Sequence, residues 1–97
     1  MEPAERRKIE ALITLLLRCV DARPTLTARQ LIALTEIVRA GSCTRAELSR
    51  RIEMSEGAVS RLVQDLGPEG ADLLRLDGRQ IVLSDRIQKG FESYLSE

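Results

Sequence analysis

The sequence predicts a mostly α-helical fold carrying one small β-hairpin, a winged helix-turn-helix in the order helix, helix, helix, turn, helix, hairpin, helix. Three observations carry that prediction. Apolar residues recur at helical spacing behind well-formed N-cap signals. Asp77-Gly78 falls between two short alternating runs, Leu74-Arg-Leu76 and Ile81-Val-Leu83, the pattern of a tight hairpin. The helix just before that hairpin divides into an apolar side and a side of small, hydrogen-bonding residues.

Pro3 and the run Ile9, Leu12, Ile13, Leu16, Val20 predict a first helix over about residues 3–21. Leu15, Leu17 and Cys19 fall outside that stripe, so the helix is apolar on more than one side. Such a helix fits a subunit interface, with its own core as the alternative. Thr27-Ala-Arg-Gln30 has capping-box spacing and opens a helix through Arg39, packed by Leu31, Leu34, Ile37 and Val38 and ended at Gly41. Thr44-Arg-Ala-Glu47 is a second capping box, with Leu48 and Ile52 inward. Ser55 caps the next helix, which Gly67-Pro68 stops, because a proline forces its predecessor away from helical angles. After the hairpin, Ser84-Asp85 caps a last helix through about Leu95, with Ile87, Phe91, Tyr94 and Leu95 on its apolar side. The chain is thus expected to be one domain: residues 1–22 for dimerisation, 44–66 the helix-turn-helix, 73–84 the wing and 85–96 a closing helix.

Composition narrows the function. Of the 97 residues, 43% are hydrophobic, with one Phe, one Tyr and no Trp, so a packed core is expected and aromatic stacking on single strands is not. The 15 basic residues balance the 15 acidic ones, unlike a nonspecific nucleic-acid binder. Leu15-Leu16-Leu17 is far too short to cross a bilayer and no secretory signal is visible, which predicts a cytoplasmic protein without a membrane partner. Cys19 and Cys43 form no metal-ligand pattern and there is no His, so neither metal nor cofactor is expected, and the thiols read as small buried hydrophobes. With no Gly-rich phosphate loop and no nucleophile–base pair, an enzyme is not expected.

The helix at 55–66 carries the functional signal. Val59, Leu62, Val63 and Leu66 form its apolar stripe, while Gly57, Ser60, Arg61 and Gln64 recur on the other side. A helix seated in a DNA major groove needs that second pattern: little bulk and donors that reach base edges. Arg61 is the expected base or phosphate contact. Ser55 and the helix start would hold a phosphate through backbone N–H groups, and Glu56 could accept from a cytosine amino group. Arg45, Arg75 and Arg79 would add backbone contacts.

The segments Leu26 to Leu34, Gly41 to Ile52 and Met54 to Leu66, most specifically Val59-Ser60-Arg61-Leu62-Val63, resemble the core of MarR-type regulators. Those are bacterial winged-helix dimers, mostly repressors released by small ligands. The resemblance implies a recognition helix at Ser55 to Leu66, with Ser55, Gly57, Ser60 and Arg61 touching phosphate and bases and Arg79 as the wing arginine. Three departures stand out. Glu53 replaces the Gly usual at the turn, the wing is cut to Leu76-Asp-Gly-Arg-Gln, and one short closing helix replaces two long ones. Ligand sensing therefore does not carry over, and no small-molecule effector is assigned. A dimer would use Ile9, Leu12, Ile13, Leu16, Leu17 and Val20 together with Phe91, Tyr94 and Leu95.

Two functional readings follow. The first is a sequence-specific double-stranded DNA-binding transcription regulator, a homodimeric repressor. The second is a winged-helix protein-interaction module, an antiactivator or assembly subunit. Residues 44–66 balance Arg45, Arg50, Arg51 and Arg61 against Glu47, Glu53, Glu56 and Asp65, which favours the second. A band of Arg61, Arg45, Arg75 and Arg79 on one side of the fold would favour the first.

Overall fold

The computed structural model describes residues 2–96, with side chains as far as Gly90. The order is α1 (Pro3–Ala22), α2 (Ala28–Ala40), α3 (Arg45–Arg51), α4 (Glu56–Leu66), β1 (Leu74–Asp77), β2 (Gln80–Leu83) and α5 (Asp85–Ser96). This is the mostly helical winged helix-turn-helix that the sequence predicts.

Local chemistry sets the helix starts. The Thr27 hydroxyl accepts the Gln30 N–H at 3.1 Å, and the Gln30 side-chain oxygen accepts the Thr27 N–H at 2.9 Å. Thr44 and Glu47 repeat the exchange at 3.2 and 3.1 Å. The Ser55 hydroxyl accepts from Ala58 at 3.1 Å. Each cap satisfies N–H groups that the helix itself leaves without acceptors. Gly41 closes α2 at φ 81°, a backbone angle that glycine adopts without steric cost.

Helix α1 is apolar on two sides, and Leu15 and Cys19, outside the main predicted stripe, face inward. Ala11, Leu15 and Cys19 are buried, whereas Ile9, Ile13 and Leu17 are 44%, 52% and 59% exposed. Leu12, Leu16 and Val20 are half-buried between the two stripes. The helix packs chiefly against α5 and also against α2. The bulkier branched stripe is left outside.

Helix α4 buries Val59, Leu62, Val63 and Leu66, all four of the expected residues. They join Leu15, Leu34, Ile37, Leu48, Leu73, Leu74 and Ile81 in one core, with Ile87 of α5 beside it. After Gly67 the chain folds back, the Leu73 N–H donating to the Leu66 carbonyl at 2.8 Å.

The hairpin is antiparallel, with Leu74 opposite Leu83 and Asp77 opposite Gln80. Its two-residue turn is therefore Gly78-Arg79, one position beyond the expected Asp77-Gly78. Gly78 has φ 63°, and a turn with glycine at its first central position suits the strand twist. Cys43 adds a single bridge to Ile81, with N–H···O distances of 3.2 and 2.7 Å, so the residue before Thr44 fastens the wing to the α2–α3 connection.

The Ser84 cap is made by backbone alone. Its carbonyl accepts the Gln88 N–H at 2.9 Å, while its buried hydroxyl has no partner among the described residues. Phe91, Tyr94 and Leu95 lie outside the described side chains.

Candidate nucleic-acid interface

The turn between α3 and α4 orients the candidate recognition helix. Glu53 takes φ 55°, the left-handed conformation expected where a side chain replaces glycine. From there α4 runs with its small, polar side outward. Gly57, Ser60, Arg61 and Gln64 are all exposed, and a Cβ built at Gly57 would meet no atom within 4 Å.

Three elements converge beside that row. Arg45 at the start of α3, Ser60 and Gln64 on α4, and Arg75 and Leu76 on β1 line one open cleft of about 470 Å3. Glu69 stands on its rim. Arg61 lies on the other side of Gln64, in a shallower depression shared with Asp65 and Glu69. Arg79 is exposed at the hairpin turn, and neither depression includes it. Arg45 and Arg75 thus come together with the α4 face, Arg61 adjoins them through Gln64, and Arg79 is placed separately.

The zero charge of residues 44–66 conceals an uneven distribution. Asp65 accepts from Arg23 Nη1 and Gln30 Nε2, both at 2.7 Å, which holds its carboxyl below the usual aspartate range. The Thr44 cap lowers the Glu47 carboxyl in the same sense, chiefly through the backbone N–H. Arg51 reaches Glu36 at 3.7 Å and Glu47 at 3.9 Å, and Arg75 donates to Asp85 at 3.2 Å. Among the described residues, Arg45, Arg61 and Arg79 form no ion pair. Glu53 and Glu56 are exposed at the start of the helix. The Ser55 oxygen caps α4, so toward a ligand its hydroxyl offers a donor.

Sequence reasoning missed the Arg23–Asp65–Gln30 contact. Its partners are 42 and 35 positions apart, and no local pattern links them.

The cysteines are buried and unpaired, and burial pushes the Cys19 thiol up to about 11. Cys43 moves in the same direction for the same reason. Both shifts oppose formation of a reactive thiolate.

A helix-turn-helix followed directly by a hairpin, with an uncluttered polar face on its second helix, defines a winged helix-turn-helix fold. Residues 25–66, the segment holding α2, α3 and α4, are similar to the MarR family. The crystal structure of RV1404 from Mycobacterium tuberculosis has a similar fold, with a TM-score of 0.59 over 96% of this chain and 67% of that one, at 16% identity. No curated protein matches the chain in sequence. Among the described residues, no helix is long and apolar enough to cross a membrane.

Proposed function

We propose that this chain is a sequence-specific double-stranded DNA-binding transcription regulator, a non-enzymatic repressor that works as a homodimer in the cytoplasm. The carrying observation is the exposed row Gly57, Ser60, Arg61, Gln64 beside an Arg61 guanidinium with no ion pair among the described residues. Gly57 lets the helix approach the groove floor. Arg61 presents two N–H groups to a guanine edge, a pairing worth about 1–3 kcal/mol of discrimination. Ser60 and Gln64 flank it, and Glu56 accepts from a cytosine amine. Ser55 and the first N–H groups of α4 take one phosphate. Arg45 and Arg75 take the backbone across the cleft, and Arg79 takes it at the hairpin.

The exposed Ile9, Ile13 and Leu17 stripe supports dimerisation through α1, flanked by Leu12, Leu16 and Val20. An apolar stripe of this kind is unfavourable in water and is covered by a matching stripe on a second copy.

The test is fluorescence anisotropy on duplexes covering the DNA beside the protein's own gene, across a salt series. The expected result is site-selective binding whose log affinity falls linearly with log salt, with selectivity lost in Arg61→Ala. Absence of binding above background at low salt overturns the reading. Glu56 and Glu69 beside the α4 face would then favour the second reading, a protein-interaction module.

A further inference from the structure

Arg61 and Asp65 are four residues apart on α4, the spacing at which opposite charges on a helix pair with each other. In the structure they do not. Both Asp65 carboxylate oxygens are taken by other partners, one by the Arg23 guanidinium and the other by the Gln30 amide, each at 2.7 Å. Arg23 is the C-cap of α1, where its own N–H donates to the Cys19 carbonyl at 2.9 Å. Gln30 is the third residue of α2 and is fixed by its exchange with Thr27. Two residues anchored at the α1–α2 junction therefore draw Asp65 away from the neighbour it would otherwise neutralise.

We infer that Arg23 and Gln30 are positioning residues for DNA recognition: they hold the Asp65 carboxylate off Arg61 and so keep the Arg61 guanidinium available to a base. The inference rests on the DNA-binding reading above. The physical basis is competition for one anion. Arg23 and Gln30 together offer Asp65 a charge-assisted bond to each oxygen from rigidly held donors. Arg61 offers one exposed partner that must surrender side-chain freedom to pair. With Arg23 removed, Gln30 alone holds one oxygen, and the second turns to Arg61. The junction of α1 and α2 thereby acts on base selection without touching DNA.

The inference makes a rescue prediction. Anisotropy is read on two duplexes of equal length, one recovered by the wild-type chain from a random-sequence pool and a scrambled version of it. Arg23→Gln is expected to reduce the affinity ratio between them about twofold for each protomer bound, the worth of one exposed i,i+4 ion pair competing for Arg61. Asp65→Asn removes the competing charge and is expected to keep the ratio while tightening both duplexes slightly. The double variant is expected to regain the wild-type ratio, because no anion remains to occupy Arg61.

A double variant as unselective as Arg23→Gln means that the contact only braces the fold and overturns the inference. Arg23→Gln weakening both duplexes equally means that Arg23 acts as a distant charge, and overturns it as well. A wild-type chain that recovers no duplex from the pool removes the DNA reading and the inference together.

One measurement separates the two without DNA. In Arg23→Gln, the Arg61 side-chain Nε–H resonance should shift as Asp65 titrates, and in the wild type it should not. Absence of that shift in the variant overturns the exchange of partners while leaving the DNA reading standing.

Discussion

Ser49 and Met54 hold each other twice across the turn that joins α3 to α4. The Met54 N–H donates to the Ser49 carbonyl at 3.1 Å, and the Ser49 hydroxyl donates to the Met54 carbonyl at 2.5 Å. Glu53 sits inside this loop at φ 55°, so the pair offsets the cost of a left-handed side-chain residue. Ser49→Ala should lower stability by about 1 kcal/mol, the net worth of one such hydrogen bond. Glu53→Gly should raise it by about 0.5 kcal/mol, relief of strain exceeding the added freedom of the unfolded chain. Urea denaturation of the two variants checks both signs.

Gly57 is the place where fold and function should oppose each other. It lies in the first turn of α4, with open space where a Cβ would stand. Gly57→Ala should therefore stabilise the fold by about 0.5 kcal/mol through helix propensity. The same methyl group would hold α4 off a groove floor, so duplex affinity should fall as the melting temperature rises. A variant that gains stability and binds DNA unchanged would place the contact surface elsewhere.

The two stripes of α1 should respond in opposite ways to substitution. Leu15 is buried, and Leu15→Ala should cost about 2–5 kcal/mol in thermal or urea unfolding. Ile13 is half in water, and Ile13→Glu should change monomer stability by less than about 0.5 kcal/mol. Analytical ultracentrifugation should nevertheless show Ile13→Glu shifting toward the monomer. A wild-type chain that stays monomeric at high concentration would contradict the proposed interface.

Acid should act partly through Asp65. Its carboxyl is lowered by hydrogen bonds from Arg23 and Gln30, so between its folded and unfolded titrations the unfolded chain binds more protons. Stability then rises with pH in that window and is lost as pH falls through the folded value. Asp65→Asn should flatten the acid limb of a stability–pH profile and leave the neutral plateau nearly unchanged, since the ion pair is solvent-exposed. An unchanged acid limb would assign the acid sensitivity to Glu36 and Glu47, which hydrogen bonds also lower.

What the sequence makes legible is whatever depends on neighbours a few positions apart. The capping boxes at Thr27 and Thr44, the Ser55 cap, the two sides of α4 and the hairpin all rest on such short spacings, and all are present. The side of α1 that faces inward does not rest on them. Ile9, Ile13, Leu17 and Ala11, Leu15, Cys19 are both valid helical stripes, and only the tertiary packing of α1 selects between them. The hairpin turn lies one residue further on, because a turn at Asp77-Gly78 would need positive φ at Asp77 as well, whereas one at Gly78-Arg79 needs it at Gly78 alone. The Asp65 contact is hidden for the simplest reason: its partners meet only after the chain has folded.

On the proposed DNA-binding reading, the brevity of the hairpin would limit how much sequence one protomer can sense. Only Gly78 and Arg79 extend past the paired strands, and Cys43 ties the middle of β2 to the helical body. Such a stub is stiff and cannot curl around a duplex into a neighbouring groove. Under that reading, each subunit's footprint would shrink to the few base pairs under α4. Telling one operator from a genome of near-matches falls to the distance between two such footprints, which a paired α1 would set like the span of a caliper.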